Sequence, residues 1–194
     1  LRLNTDVISI DTNAHAVATA SGDVVPYDRL LLATGAEPVR LAIPGADLPH
    51  VHTLRSLADS RAIIATTKSA RRALVIGASF IGLEVAAALR KRLVEVDVVA
   101  PGAVPMEKLL GADAGAGFRR LHEKHGVRFH LGTRPVSIDA QWVTLADGRR
   151  LRANLVVVGI GVRPATELAE KAGLRIDRGV EVNEFLETNV PGIF

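Results

Sequence analysis

The 194-residue chain contains no cysteine. Disulfides, thiolate metal sites and a Cys-x-x-Cys redox pair are therefore excluded within it, and a cytoplasmic location fits. Aromatic residues are scarce, at five Phe, one Tyr and one Trp. Stacking platforms for nucleic acid are thus lacking, and no nucleic-acid-binding motif accompanies the charges. No apolar run reaches the roughly 18 residues that a membrane-spanning helix needs. The opening Leu1-Arg2-Leu3-Asn4-Thr5-Asp6 lacks the apolar stretch of a secretory signal. It also lacks an initiator methionine, and Gly192-Ile193-Phe194 is an abrupt end, so an excised fragment is expected.

What is present is a soluble, globular composition, 48% hydrophobic and 23% charged. The net charge is +3. Basic pairs at Arg71-Arg72, Arg119-Arg120 and Arg149-Arg150, and the triplet Arg90-Lys91-Arg92, are scattered. They read as solvated surface, with a docking face for an acidic protein as the alternative.

Apolar periodicity and turn signals set out the elements. Val7–Ile10 and Ala16–Thr19 read as short strands, and Leu30–Ala33 as a buried one ending at Thr34-Gly35. Residues 36–50 read as a connector, rich in proline. Ser56-Leu57-Ala58-Asp59 resembles a capping box that starts a helix. Ala73–Ile76 is a strand covered on both faces, Phe80–Arg92 a helix, and Val94–Val99 the next strand. A helix near 112–125, a strand at Val127–His130, a meander over Val136–Leu145 turning at Asp147-Gly148, and a buried strand at Leu155–Val158 follow.

A weak internal repeat runs through this order. Gly22, Asp28, Gly35 and Pro38 recur 126 residues later as Gly148, Asn154, Gly161 and Pro164, and Ile8–Asp11 recurs 128 residues later as Val136–Asp139. One unit, a meander followed by an apolar strand and a glycine turn, is used twice.

The central motif is Gly77-Ala78-Ser79-Phe80-Ile81-Gly82, between a predicted strand and a predicted helix. That context points to dinucleotide binding. Gly77 permits the tight turn, Gly82 permits close helix–sheet packing, and the helix N-terminus faces the pyrophosphate. Ser79 replaces the middle glycine. Its Cβ crowds the phosphate approach while its hydroxyl offers a donor. The acidic residue that usually ends the second strand of an NAD site is replaced by Ala100, and no arginine follows at once to hold a 2′-phosphate. NADH is the expected partner, with NADPH left open. A dinucleotide-like module with a degenerate, purely structural site is a competing reading supported by the same two residues.

Together these residues resemble the FAD-dependent pyridine nucleotide-disulfide oxidoreductase superfamily, and within it the ferredoxin reductase branch that includes proteins similar to apoptosis-inducing factor. The resemblance covers almost the whole chain. It is carried by Tyr27–Gly35, Ile43-Pro44-Gly45, His52–Arg55, Gly77–Glu84, Val158–Pro164 and Thr188–Phe194.

The resemblance implies a Rossmann-type parallel sheet of α/β class with an antiparallel β-meander crossover, plus partial FAD-domain segments. It implies residues 1–44 and 164–194 as pieces of an FAD-binding domain and 45–163 as the NAD(P)H-binding domain. It places Val7 against the FAD adenine through its backbone, Ala33, Thr34, Gly35 and Arg55 near FAD, and Glu84 near the nicotinamide. Gly159-Ile160-Gly161 is its second glycine motif.

The implied activity is hydride transfer from NAD(P)H to FAD, then single-electron transfer to a ferredoxin or Rieske-type iron–sulfur protein. An NADH-responsive regulatory protein similar to apoptosis-inducing factor is the alternative. The superfamily's first glycine fingerprint and its C-terminal Gly-Asp fall outside these residues, so the chain alone is expected to bind FAD poorly. Apolar surface left on the flavin segments is expected to favour a homo-oligomer.

From the residues alone, Arg55 also reads as a cation paired with Asp59, and Glu84 as a solvated helix position. His52, His122, His125 and His130 are not spaced as a metal site and read as surface or capping residues. Asp113 and Asp139 read as turn residues.

Overall fold

A computed structural model describes the whole chain, Leu1–Phe194. The chain forms two compact units, one of Leu1–Glu37 with Val162–Phe194 and one of Pro38–Gly161. The larger unit begins seven residues before, and ends two residues before, the boundaries read from sequence. Residues 38–44 belong with it because Leu41 and Ile43 pack into its core.

The larger unit is built on a five-stranded parallel sheet in the order β5-β12-β6-β7-β8. These strands are Val51–Thr53 (β5), Arg72–Ile76 (β6), Glu95–Ala100 (β7), Val127–Leu131 (β8) and Leu155–Val158 (β12). Their valine-rich runs are buried on both faces, as parallel strands with covered faces must be. Val75, Val96, Val98 and Val157 face α1 (Leu57–Thr66) and α2 (Phe80–Lys91) through Ile63, Val85, Ala86 and Leu89. Leu74, Ile76, Val99, Val156 and Val158 face the meander of β9 (Pro135–Ile138), β10 (Trp142–Leu145) and β11 (Arg150–Arg152) through Ile138, Val143 and Leu145.

The capping box forms as expected. Asp59 N–H donates to Ser56 Oγ (3.1 Å) and Ser56 N–H donates to Asp59 Oδ2 (2.8 Å). Helix α2 ends at Lys91 with Arg92 as its C-cap, and Leu93 takes the left-handed conformation (φ 63°) that turns the chain into β7. Helix α3 spans Glu107–Lys124, starting earlier than expected, because Glu107–Leu110 already form a turn before a kink at Gly111 (φ 80°, ψ 172°). Asp113 therefore lies in a helix and not in a turn.

On the meander side the Asp97 carboxylate is nearly buried, at 9% exposure. Arg128 donates to it through Nε (3.0 Å) and Nη2 (2.8 Å), and its Oδ1 lies 2.7 Å from His130 Nε2. Arg149 Nη1 lies 3.2 Å from His130 Nδ1. Burial alone would raise the carboxyl pKa. The hydrogen bonds from His130 and Arg128 outweigh it and hold Asp97 at about 2. His130 is thus part of a network and not a free surface residue. Arg149 stays exposed, as read from the sequence, while touching this network at its edge.

In the smaller unit, Val7–Asp11 (β1), Ala16–Thr19 (β2) and Val24–Pro26 (β3) form an antiparallel sheet in sequence order. Ile10 packs with Ala169 of α4 (Glu167–Lys171), Leu174 and Ile193. Ile176–Asp177 (β14) pairs with Gly179–Val180 (β15). Short strands Ala36–Pro38 (β4) and Val162–Pro164 (β13) pair where the chain leaves and re-enters this unit.

Leu30–Ala33 is not the buried strand expected. Leu30 makes a single parallel bridge to Ile193, and Leu31 is 74% exposed. Its ladder partner is only the short segment Gly192–Phe194, reached by Leu30 N–H to Gly192 (2.9 Å) and Leu32 N–H to Phe194 (2.6 Å).

The repeat is visible in the geometry. Asp11 Oδ1 accepts from the N–H groups of Asn13 and Ala14, and Asp139 Oδ1 accepts from those of Gln141 and Trp142. Each is an Asx turn joining the first two strands of a three-stranded meander.

Candidate functional site

Strand β6 delivers the chain to Gly77, which turns with φ 110°. A Cβ built there would collide with the Gly159 carbonyl, and one on Gly82 would collide with the Gly77 carbonyl. A Cβ on Gly159 would lie 3.3 Å from Gly82 N. Gly77, Gly82 and Gly159 therefore form a single close approach between two strand ends and the first turn of α2. Gly77 N–H donates to Val99 O and Gly159 N–H to Ile76 O (both 2.8 Å), which locks the turn onto its neighbours.

Ser79 is the N-cap of α2, and its hydroxyl makes no capping hydrogen bond. The unpaired N–H groups of the first turn and the helix dipole together suit an anion there. Ala78 O accepts from Met106 N–H (2.9 Å), tying the turn to the start of α3. Phe80 is exposed, Ile81 packs partly on the core, and Glu84 is exposed on the second turn.

A cavity of about 490 Å³ opens beside this turn. Ile76, Gly77, Ala100, Pro101 and Ile160 line one side, Leu41–Pro44 another, and Thr133–Val136 a third. Sequence reasoning placed Gly77, Ala100 and Ile160 and missed the rest. The signal available was the strand order. Residues that follow β8 must emerge next to those that follow β7. Thr133 N–H donates to Ala100 O (3.4 Å), and Gly132 N–H donates to Gly102 O (3.1 Å).

A second cavity, of about 540 Å³, shares Leu41–Pro44 and adds Arg40, Asp47, His52 and Thr53. Burial pushes the His52 pKa down, with neighbouring His50 adding to the effect. Gly161 turns with φ 115° and accepts from Val39 N–H (3.0 Å). Arg55 does not pair with Asp59 through its guanidinium. The Asp59 carboxylate takes the Arg55 backbone N–H instead (2.9 Å), leaving the side chain exposed.

In the smaller unit Val7 and Thr34 line one concavity of about 370 Å³ with Ile8, Ala165, Leu168 and Lys171. Thr34 Oγ1 donates to Ala165 O (2.7 Å), and Gly35 O accepts from Ala165 N–H (3.0 Å). Ala33 is exposed beside them. No cluster of three or more His, Cys, Asp or Glu residues is arranged to hold a metal.

A tight glycine turn between a parallel strand and a helix, with a cavity at the C-terminal ends of the strands, is the arrangement of a dinucleotide site. The model of the family described as pyridine nucleotide-disulphide oxidoreductase matches residues 1–194. The chain belongs to this family.

Rhodocoxin reductase of Rhodococcus erythropolis is 41% identical over 187 residues, covering 94% of this chain and 44% of that protein. The ferredoxin–NAD(+) reductase component of the biphenyl dioxygenase system of Paraburkholderia xenovorans is 38% identical, over 100% of this chain and 48% of that one. The solved ferredoxin reductase of the CYP199A2 system of Rhodopseudomonas palustris superposes with a TM-score of 0.94 at 38% identity, covering 98% and 48%. The chain spans a little under half the length of these relatives. No helix is long and apolar enough to cross a membrane.

Proposed function

We propose that Pro38–Gly161 binds a nicotinamide dinucleotide at the Gly77–Gly82 turn, as the reductant site of a flavoprotein that passes electrons to a ferredoxin-type iron–sulfur protein. The observation that carries this reading is the glycine approach. Gly77 and Gly82 leave no room for side chains, so β6, α2 and the end of β12 close into the tight turn that would aim the N-terminus of α2 at a pyrophosphate.

Ala78, Ser79, Phe80 and Ile81 would present backbone N–H groups and the free Ser79 hydroxyl to the phosphates. Ala100 and Ile160 would border the adenosine side. Glu84 would stand near the nicotinamide end. Val7, Ala33, Thr34, Gly35 and Arg55 would contribute to holding FAD, which when bound accepts a hydride and releases electrons one at a time. The protein's own work is positioning and exclusion of water.

NADH is the preferred dinucleotide, supported by the absence of an arginine directly after Ala100 and by the NAD(+) in the name of the Paraburkholderia relative. A ferredoxin partner, Rieske-type iron–sulfur proteins included, is supported by the ferredoxin reductases that the chain resembles. The exposed Ile8 and Leu31 mark apolar surface that a second copy or further flavin-domain residues would cover.

Calorimetric titration with NADH and with NADPH tests the reading. Saturable binding of either, lost in Gly77→Val, is the expected result. Failure of both to bind would support a site used only structurally, for which the replacements Ser79 and Ala100 already speak.

A further inference from the structure

At the Ala100 end of the cavity no carboxylate is present. All but one of the residues lining it are uncharged, and the exception is Arg134. Arg134 follows β8 and reaches this place through the strand order, 34 residues from Ala100 in sequence. Its backbone is held, since Thr133 N–H donates to Ala100 O and Arg134 O accepts from Ala146 N–H (2.9 Å). Its guanidinium is exposed and enters none of the neighbouring ion pairs, which are Arg149–Asp147 (2.7 Å) and Arg150–Asp139 (3.0 Å).

Beside it, Thr133 also lines the cavity, with its Oγ1 buried and without a hydrogen-bond partner. The nearby Asp147 carboxylate is held low first by Arg149, whose Nε and Nη2 donate at 3.0 and 2.7 Å, with the Thr133 hydroxyl contributing less. A free cation thus flanks the position where NAD sites usually place an acid. The acid would accept from the ribose diol and repel a 2′-phosphate. Its absence, with a cation in reach, reverses the local electrostatics.

We infer that Arg134 recognises a phosphate on the adenosine 2′-oxygen, so that this site accepts NADPH as well as NADH. The inference rests on the dinucleotide reading of the Gly77–Gly82 turn. It adds a specificity-determining residue supplied by a different strand from the one that normally supplies it.

The test compares adenosine 2′,5′-bisphosphate with 5′-AMP, and NADPH with NADH, by calorimetry on the protein and on Arg134→Ala and Arg134→Glu. Arg134→Ala is expected to weaken the 2′-phosphorylated ligands about tenfold, as loss of one charge-assisted contact would. Arg134→Glu should weaken them further, while 5′-AMP and NADH stay within about twofold. Raising the salt concentration should weaken binding of the 2′-phosphorylated ligands to the unaltered protein more than that of 5′-AMP and NADH.

If NADPH and NADH bind and Arg134→Ala leaves their ratio unchanged, this inference fails and the dinucleotide site stands. An equal loss for all four ligands would make Arg134 structural and would also overturn it. If the unaltered protein binds none of the four, both the site and the inference fail.

Discussion

The Gly159 carbonyl oxygen occupies the space that a Cβ on Gly77 would need. Strand ends β6 and β12 meet this closely over the first turn of α2 because Gly77 lacks a side chain, and a Cβ on Gly159 would in turn crowd Gly82 N at 3.3 Å. Gly77→Ala must therefore move a backbone carbonyl and also hold alanine at a φ of 110°. A loss of roughly 2–4 kcal/mol is expected from overpacking and strain, together with loss of dinucleotide binding. Gly161 has a similar φ of 115° but nothing within 4 Å of its notional Cβ. Gly161→Ala should cost only the backbone term, about 1–2 kcal/mol. Chemical denaturation of both variants separates the two effects. Equal losses would mean that the Gly77–Gly159 approach contributes nothing.

Ala100 ends β7 with its side chain buried against the cavity. Ala100→Glu would add an acceptor for the ribose hydroxyls and a charge repelling a 2′-phosphate. The ratio of NADH to NADPH affinity should rise by about tenfold or more. A ratio that does not move in paired titrations would place the ribose elsewhere.

Asp97 ties β7 to β8 through Arg128 and His130. Its pKa is depressed in the folded protein to about 2, from 3.8. A group depressed on folding adds stability above its unfolded pKa, and that stability disappears as pH falls through the folded pKa. The contribution, roughly 2 kcal/mol, should be complete at pH 5 and mostly lost near pH 2. The stability gap between the protein and Asp97→Asn, from urea unfolding, should shrink over that interval. A gap constant with pH would show that the network does not govern this carboxyl.

The Ser56–Asp59 box caps α1 on its own residues. Ser56→Ala should cost about 1 kcal/mol, and Asp59→Ala a similar amount. The double variant should cost less than the sum, because each side chain satisfies a donor that the other orients. Strict additivity in thermal melts would mean that the two hydrogen bonds act independently.

Much of the architecture was legible where local chemistry acts alone. Ala73–Ile76, Leu155–Val158 and the capping box were read correctly because continuous apolar runs and cap residues carry their signal within a few positions. The Asx turns at Asp11 and Asp139 follow from side chains bonding to their own backbone. Errors arose where a distant partner decides. Leu30–Ala33 has the composition of a buried strand, yet its neighbours leave Leu31 in solvent. His130 reads as a surface residue, yet the pairing of β8 with β7 brings it to Asp97. The early start of α3 was hidden by Gly111, which kinks the helix without ending it.

The sequence by itself determined that this is an α/β chain with a glycine turn suited to a dinucleotide, since glycine spacing and apolar period are local properties of the backbone. Tertiary structure alone decided which residues surround that turn. Gly159 reaches Gly77 because β12 lies beside β6, and Thr133 and Arg134 reach Ala100 because β8 lies beside β7. Parallel strand order joins residues dozens of positions apart. That order is set by which apolar faces bury together, and no short window of sequence records it.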